Sequence, residues 1–157
     1  MLKKYLFIFF LSMVPILELR GAIPFAVNWE LDYWTSLLIC AIGNMLPVPL
    51  IYFFARKILV WGAHKKYIGK AFTYFLEKGE RGGQKLVATT GRGGLFVALM
   101  LFVGIPLPGT GAWTGTLAAS FLNMGIKSTT LSVSLGVIIA SVIMGVASMV
   151  GLHIFGF

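Results

Sequence analysis

Charge is scarce in this chain. Only 11% of its 157 residues are charged and only five are acidic, against roughly a quarter charged in a soluble globular domain. That shortage excludes an ordinary water-soluble fold. A single cysteine, Cys40, excludes an internal disulfide. Two histidines, His64 and His153, with no clustered Cys or acid at ligand spacing, leave no metal set, and no cofactor motif is present. There is no Ser/His dyad, no HExxH helix and no paired acids, so an enzyme is not expected.

What the chain has in abundance is apolar sequence: 58% hydrophobic residues and a mean hydropathy of +0.90. The expectation is a single all-α integral membrane domain over residues 1–157. The net charge of +8 does not point to nucleic acid, because nine of the thirteen positives fall in one stretch and no nucleic-acid module is recognisable. The partner implied is the lipid bilayer.

Four segments supply the ~20 apolar residues that a crossing helix needs. They are residues 5–27, 35–55, 94–123 and 130–157. Residues 56–92 form a basic loop, with nine Lys and Arg against Glu77 and Glu80; the positive-inside rule puts it in the cytoplasm of a multi-pass protein of the cell (inner) membrane. Residues 28–34 carry Glu30 and Asp32 without a base and belong outside. Within the loop, Ile68, Ala71, Phe72 and Phe75 fall at helical spacing. Lys3 and Lys4 favour a cytoplasmic start, with 5–27 crossing once, although that segment is long enough to dip halfway and return. Glu18 and Arg20 sit where the apolar core of a cleavable signal should end, which argues against one.

Two of the four segments are broken. Pro15, Glu18, Arg20, Gly21 and Pro24 interrupt 5–27, and Gly104, Pro106, Pro108, Gly109, Gly111 and Gly115 interrupt 94–123, with Thr110 and Thr114 beside them. Asn44, Pro47 and Pro49 mark the span between. In hydrocarbon every backbone polar group needs a partner, so irregular main chain survives only inside protein or beside water. A helix restarting after Gly111 would present unpaired N–H groups and a positive dipole end able to hold an anion. Each ionised group at a helix centre costs roughly 2.5–3.5 kcal/mol on insertion scales, so Glu18 and Arg20 need a reason to be there. Broken helices, each followed by an unbroken span, fit two broken or re-entrant segments in an inverted repeat, the pattern of many transporters. Lys3 and Lys4 conflict with that inversion.

The blocks Pro-x-x-Glu-Leu-Arg-Gly-Ala-Ile-Pro (15–24), Gly-Asn-Met-Leu-Pro-Val-Pro (43–49) and Ile-Pro-Leu-Pro-Gly-Thr-Gly-Ala-Trp-Thr-Gly (105–115) resemble the small multidrug export protein family. More distantly, that family is similar to the DedA and SNARE-associated (VTT) membrane proteins. The resemblance implies two membrane-dipping hairpins that face each other. It also implies transport, either drug export or translocation of a lipid carrier. This chain departs from the DedA pattern in being shorter and in lacking its second acidic site.

The expected function is a small transporter or exporter, with substrate held where the two breaks meet. Alternatives are a lipid or polyprenyl-phosphate translocase and a non-transporting assembly factor. Glu18 is either a protonatable coupling residue or a structural partner of Arg20 or a peptide N–H. Arg20, Asn44, Gly109, Thr110, Gly111 and Thr114 are the other candidate substrate or ion ligands. Arg92, in Gly-Arg-Gly-Gly, reads as an anchor at the cytoplasmic membrane edge. Ser132, Gly136 and Ala140, with Ser141 and Gly145, suit close helix packing within the chain more than a homodimer face. A homodimer is nonetheless expected, because four membrane segments enclose little volume.

Overall fold

The computed structural model describes residues 1–155 apart from 16, 66, 68, 108 and 109, with backbone alone at several positions between 59 and 87 and at 152 and 155. The described residues form helices and no strands. The order is α1 (Leu2–Met13), α2 (Glu18–Asn28), α3 (Tyr33–Met45), α4 (Val48–Ala63), α5 (Gly69–Gly104), α6 (Ala112–Phe121) and α7 (Ile126–Phe155).

α1 and α2 are the two arms of one hairpin. Phe7 packs edge-on against Phe25, with ring centroids 5.9 Å apart, and also meets Trp29 at 5.3 Å. Lys4 lies over the Trp29 ring, and the Asp32 N–H donates to the Tyr5 hydroxyl. The start of α1 therefore sits beside the end of α2, and the end of α1 with the start of α2 forms the tip. Segment 5–27 is not one continuous helix; it doubles back, α1 ending after 12 residues at Met13, shortly before Pro15. The N-terminal lysines lie at the same end as Asp32, not at the basic end with Arg56.

The second break folds the same way. Gly115 on α6 lies against Val103 and Leu99 on α5, so the last turns of α5 and the first turn of α6 run side by side. The opening of this hairpin is at the other end of the molecule. There the Tyr52 hydroxyl donates to the Met124 carbonyl and Arg56 donates to the Asn123 side chain.

Two helices are long and apolar enough to cross a membrane: Tyr33–Ala63, which joins α3 and α4, and Ile126–Gly151 of α7. Asp32 starts the first by accepting the Thr35 N–H at 2.9 Å. Pro47 and Pro49 fall at its α3–α4 joint, where they tolerate the missing donors at a helix start. Residues 56–92 are not an open loop. α4 continues to Ala63 and α5 begins at Gly69, with a kink at Gly91, where φ is +71°. Of the helical-spacing set, Ala71 is exposed; Ile68 lies outside the described residues, as do the side chains of Phe72 and Phe75.

The helices are sorted inside out by the standards of a soluble protein. On α7, Thr129, Ser132 and Ser141 are buried, while Leu131 and Ile138 are more than half exposed. Small and polar residues face neighbours; large apolar ones face outward, as a hydrocarbon surrounding requires. Ser132 donates to the Phe96 carbonyl at 2.6 Å, Gly136 lies on Met100 and Val103, and Gly145 lies against Tyr33. The small residues of α7 thus serve packing within the chain.

A fixed spacing of 93 positions links the two halves. Glu30 and Asn123 both adopt positive φ, +55° and +57°. The next N–H groups, of Leu31 and Met124, return to the carbonyls of Ala26 and Ala119 at 3.1 and 3.0 Å, the same left-handed helix stop in each case. α3 and α7 then begin at Tyr33 and Ile126. Gly43 and Gly136 each press on a hairpin arm: a Cβ would lie 2.6 Å from the Phe9 carbonyl in one and 2.7 Å from the Met100 carbonyl in the other.

Candidate functional site

The tips of the two hairpins meet. Glu18 begins α2 with φ +49° and is 5% exposed. Its carboxylate accepts the backbone N–H groups of Ala112 (3.3 Å) and Trp113 (3.0 Å), the first residues of α6. The anion that the N-terminus of α6 was expected to hold is supplied by the chain itself. Gly111 is the approach point: a Cβ there would fall on the Glu18 carboxylate, so no larger residue fits without displacing it.

Arg20, one short turn further on, reaches the other side of the same break. Its guanidinium donates to the Leu107 carbonyl and, at 2.7 Å, to the Thr110 hydroxyl. Thr110 in turn donates to the Ile105 or Leu107 carbonyl, which ties the turn to the end of α5. The break leaves a carbonyl-rich end on α5 and an N–H-rich end on α6. Arg20 meets the first and Glu18 the second, each charge matched to the dipole end it faces. Two hydrogen bonds to a buried carboxylate, at about 1.5–3 kcal/mol each, are enough to offset an insertion cost of roughly 2.5–3.5 kcal/mol. Glu18 and Arg20 do not form an ion pair with each other; among the described residues the only pair is Arg81–Glu77.

Of the other sequence candidates, Thr110, Gly111 and Thr114 lie at this junction, with the Thr114 hydroxyl directed to the Gly111 carbonyl at 3.5 Å. Gly109 and Pro108 lie outside the described residues. Pro106 and Pro15 are in the breaks, as expected. Gly21, Pro24 and Gly115 are not helix breakers. Gly21 and Pro24 lie inside α2, which continues through the proline to Asn28 with Ile23 and Ala26 buried in the core. Gly115 lies inside α6, where its missing side chain admits Val103. Asn44 is placed elsewhere, on α3 beside Gly43; it is 1% exposed and neither atom of its amide has a partner among the described residues.

Trp113 is not among the candidates read from the sequence. Its indole N–H donates to the Met13 carbonyl at 3.1 Å, closing the last turn of α1 across the hairpin junction. The signal was present: an indole within a broken membrane segment has a donor that must be satisfied inside protein.

Among the described residues no group of three His, Cys, Asp or Glu could hold a metal ion. No curated protein and no solved structure matches the chain, and the more distant likeness to DedA and VTT proteins is not shown. Residues 18–143, which run from the first residue of α2 through the second hairpin into α7, match the family model described as "Putative small multi-drug export protein", and the chain belongs to that membrane protein family.

Proposed function

We propose that the chain is a small membrane transporter of the exporter type, and that its substrate passes at the junction of the two hairpins. In this reading α1–α2 and the α5–α6 turn are re-entrant hairpins entering from opposite faces. The 93-residue spacing then relates two halves of an inverted repeat, as in many secondary transporters. The Arg56 end faces the cytoplasm and the Asp32 end faces outward, in keeping with the distribution of Lys and Arg.

One observation carries the reading: Glu18 and Arg20 from one hairpin hold the two ends of the break in the other. Irregular backbone at two meeting tips is the arrangement in which main-chain groups can face a substrate at membrane depth. Protonating Glu18 removes the negative charge from the N-terminus of α6 and loosens the junction, which couples a proton to the opening of the tips. Gly111 and Thr114 line that opening, and the free amide of Asn44 offers a hydrogen-bonding group along the path.

The test is flux in proteoliposomes across a pH gradient, with Glu18→Gln and Arg20→Gln. Glu18→Gln is expected to abolish the response to the gradient, and Arg20→Gln to slow flux at least tenfold. Normal flux in Glu18→Gln at every pH overturns the coupling role. An unchanged rate in both variants, with protein abundance equal, overturns the site. Movement of a labelled polyprenyl phosphate instead of a drug-like cation assigns the substrate to the lipid class.

A further inference from the structure

A cavity of about 750 Å³ opens at the basic end of the molecule, between the kinked part of α5 and the turn joining α6 to α7. Its lining includes Gln84, Arg92, Asn123, Gly125, Lys127 and Ser128, above an apolar floor that includes Leu95. No acid lines it. Neither Arg92 nor Lys127 has an ion-pair partner among the described residues. Two uncompensated cations thus share one concavity that also holds neutral hydrogen-bonding groups and the N-terminus of α7.

The matching place in the other half is filled. There Asp32 supplies a carboxylate to the Thr35 N–H at the start of α3, and its own N–H binds the Tyr5 hydroxyl. Ninety-three positions later stand Gly125 and Ser128. Gly125 has no side chain to cap α7, and a Cβ built on it meets nothing within 4 Å.

We propose that this cavity is an anion-binding vestibule, in which Arg92 and Lys127 hold the phosphate of a phosphate monoester where Asp32 places its carboxylate in the other half. A dianion suits two full positive charges better than a single carboxylate does. The first N–H groups of α7 add donors in the geometry that phosphates use. The phosphate belongs either to a soluble metabolite arriving from the basic side or to a lipid headgroup whose chains remain in the bilayer. This goes beyond the transport reading: binding here needs neither a gradient nor Glu18.

The test uses the full chain in phosphatidylcholine nanodiscs, titrated calorimetrically with inorganic phosphate and with glycerol 3-phosphate. A second set of nanodiscs contains phosphatidic acid and reads whether the lipid displaces the soluble ligand. Arg92→Gln with Lys127→Gln is expected to weaken binding at least tenfold. Lys57→Gln, a cation at the same end but outside the cavity, is expected to change it less than twofold. Gly125→Asp is expected to abolish binding while raising the melting temperature, since it returns the missing cap without unfolding anything. Competition by phosphatidic acid assigns the site to lipid, and its absence assigns it to soluble esters. Three results overturn the proposal. One is that neither phosphate nor phosphatidic acid binds. Another is that Lys57→Gln weakens binding as much as the double variant, the mark of a diffuse basic surface. The third is that Gly125→Asp binds as tightly as the parent.

Discussion

The two hairpins do the same structural work with opposite chemistry. The first carries its charges inside its own tip, Glu18 and Arg20, and directs both outward to its partner. The second carries no charge at its tip. It contributes neutral groups: two backbone N–H groups from α6, the Leu107 carbonyl and the Thr110 hydroxyl. The difference shows how a break deep in a membrane protein can be stabilised. One half supplies unsatisfied dipole ends and the other supplies the two ions that satisfy them, so neither is stable there alone.

If that division is right, the largest single effect belongs to Gly111. Gly111→Ala pushes a methyl group onto a buried carboxylate and is expected to cost about 3 kcal/mol or more, through loss of both charged hydrogen bonds. Thermal unfolding in detergent would measure it; a shift under 1 °C would break the contrast between the charged and backbone-donating tips.

Next come the two glycines that press on a hairpin arm. Gly43→Ala and Gly136→Ala each place a methyl group against a carbonyl oxygen, at 2.6 and 2.7 Å. They are expected to destabilise by similar amounts, about 1–3 kcal/mol. A large effect at one position and none at the other would show that the halves are not packed alike.

The left-handed helix stops sharpen the comparison further. Glu30 and Asn123 share nearly the same φ, but Asn tolerates that conformation better than Glu. Glu30→Gly is therefore expected to stabilise by about 0.5–1 kcal/mol and Asn123→Gly by less, the more so because Asn123 would lose its bond to Arg56. Equal gains would contradict the assigned role of the Asn123 side chain.

The smallest effect is one of pH. The hydrogen bonds from Thr35 hold the Asp32 carboxyl below its ordinary value. A lowered folded-state pKa means stabilisation that is complete above the ordinary carboxylate range and lost as pH falls through the folded value. Melting temperatures of the parent and of Asp32→Ala should converge as the pH is taken down through that range. Parallel curves would show that the cap contributes nothing through its charge.

Much of this arrangement was legible in the sequence. Composition identified a membrane protein, and Pro15, Pro106 and Gly111 located both breaks. Physics demanded that irregular backbone at membrane depth be shielded by protein, which brought 15–24 and 104–115 together. The direction of the first hairpin was not legible, because Lys3 and Lys4 supply the same charge to a crossing helix as to a returning one. Gly21, Pro24 and Gly115 misled for a related reason: the residues that stop a helix also allow close packing within one. The correspondence between halves was hidden because it lies in backbone geometry. Ala26 with Ala119 and Gly43 with Gly136 are the same residue in both places, but Glu30 with Asn123 and Asp32 with Gly125 share only position.

The account stands on the contact between the Glu18 carboxylate and the start of α6. Solid-state NMR in bilayers can measure it directly, as the dipolar coupling between the Glu18 side-chain carboxyl carbon and the Trp113 backbone nitrogen, assigned by its loss in Glu18→Gln. The oxygen–nitrogen distance of 3.0 Å predicts a carbon–nitrogen separation of about 4 Å or less. A separation beyond about 6 Å, outside any hydrogen-bonded geometry, would mean that the two tips do not meet.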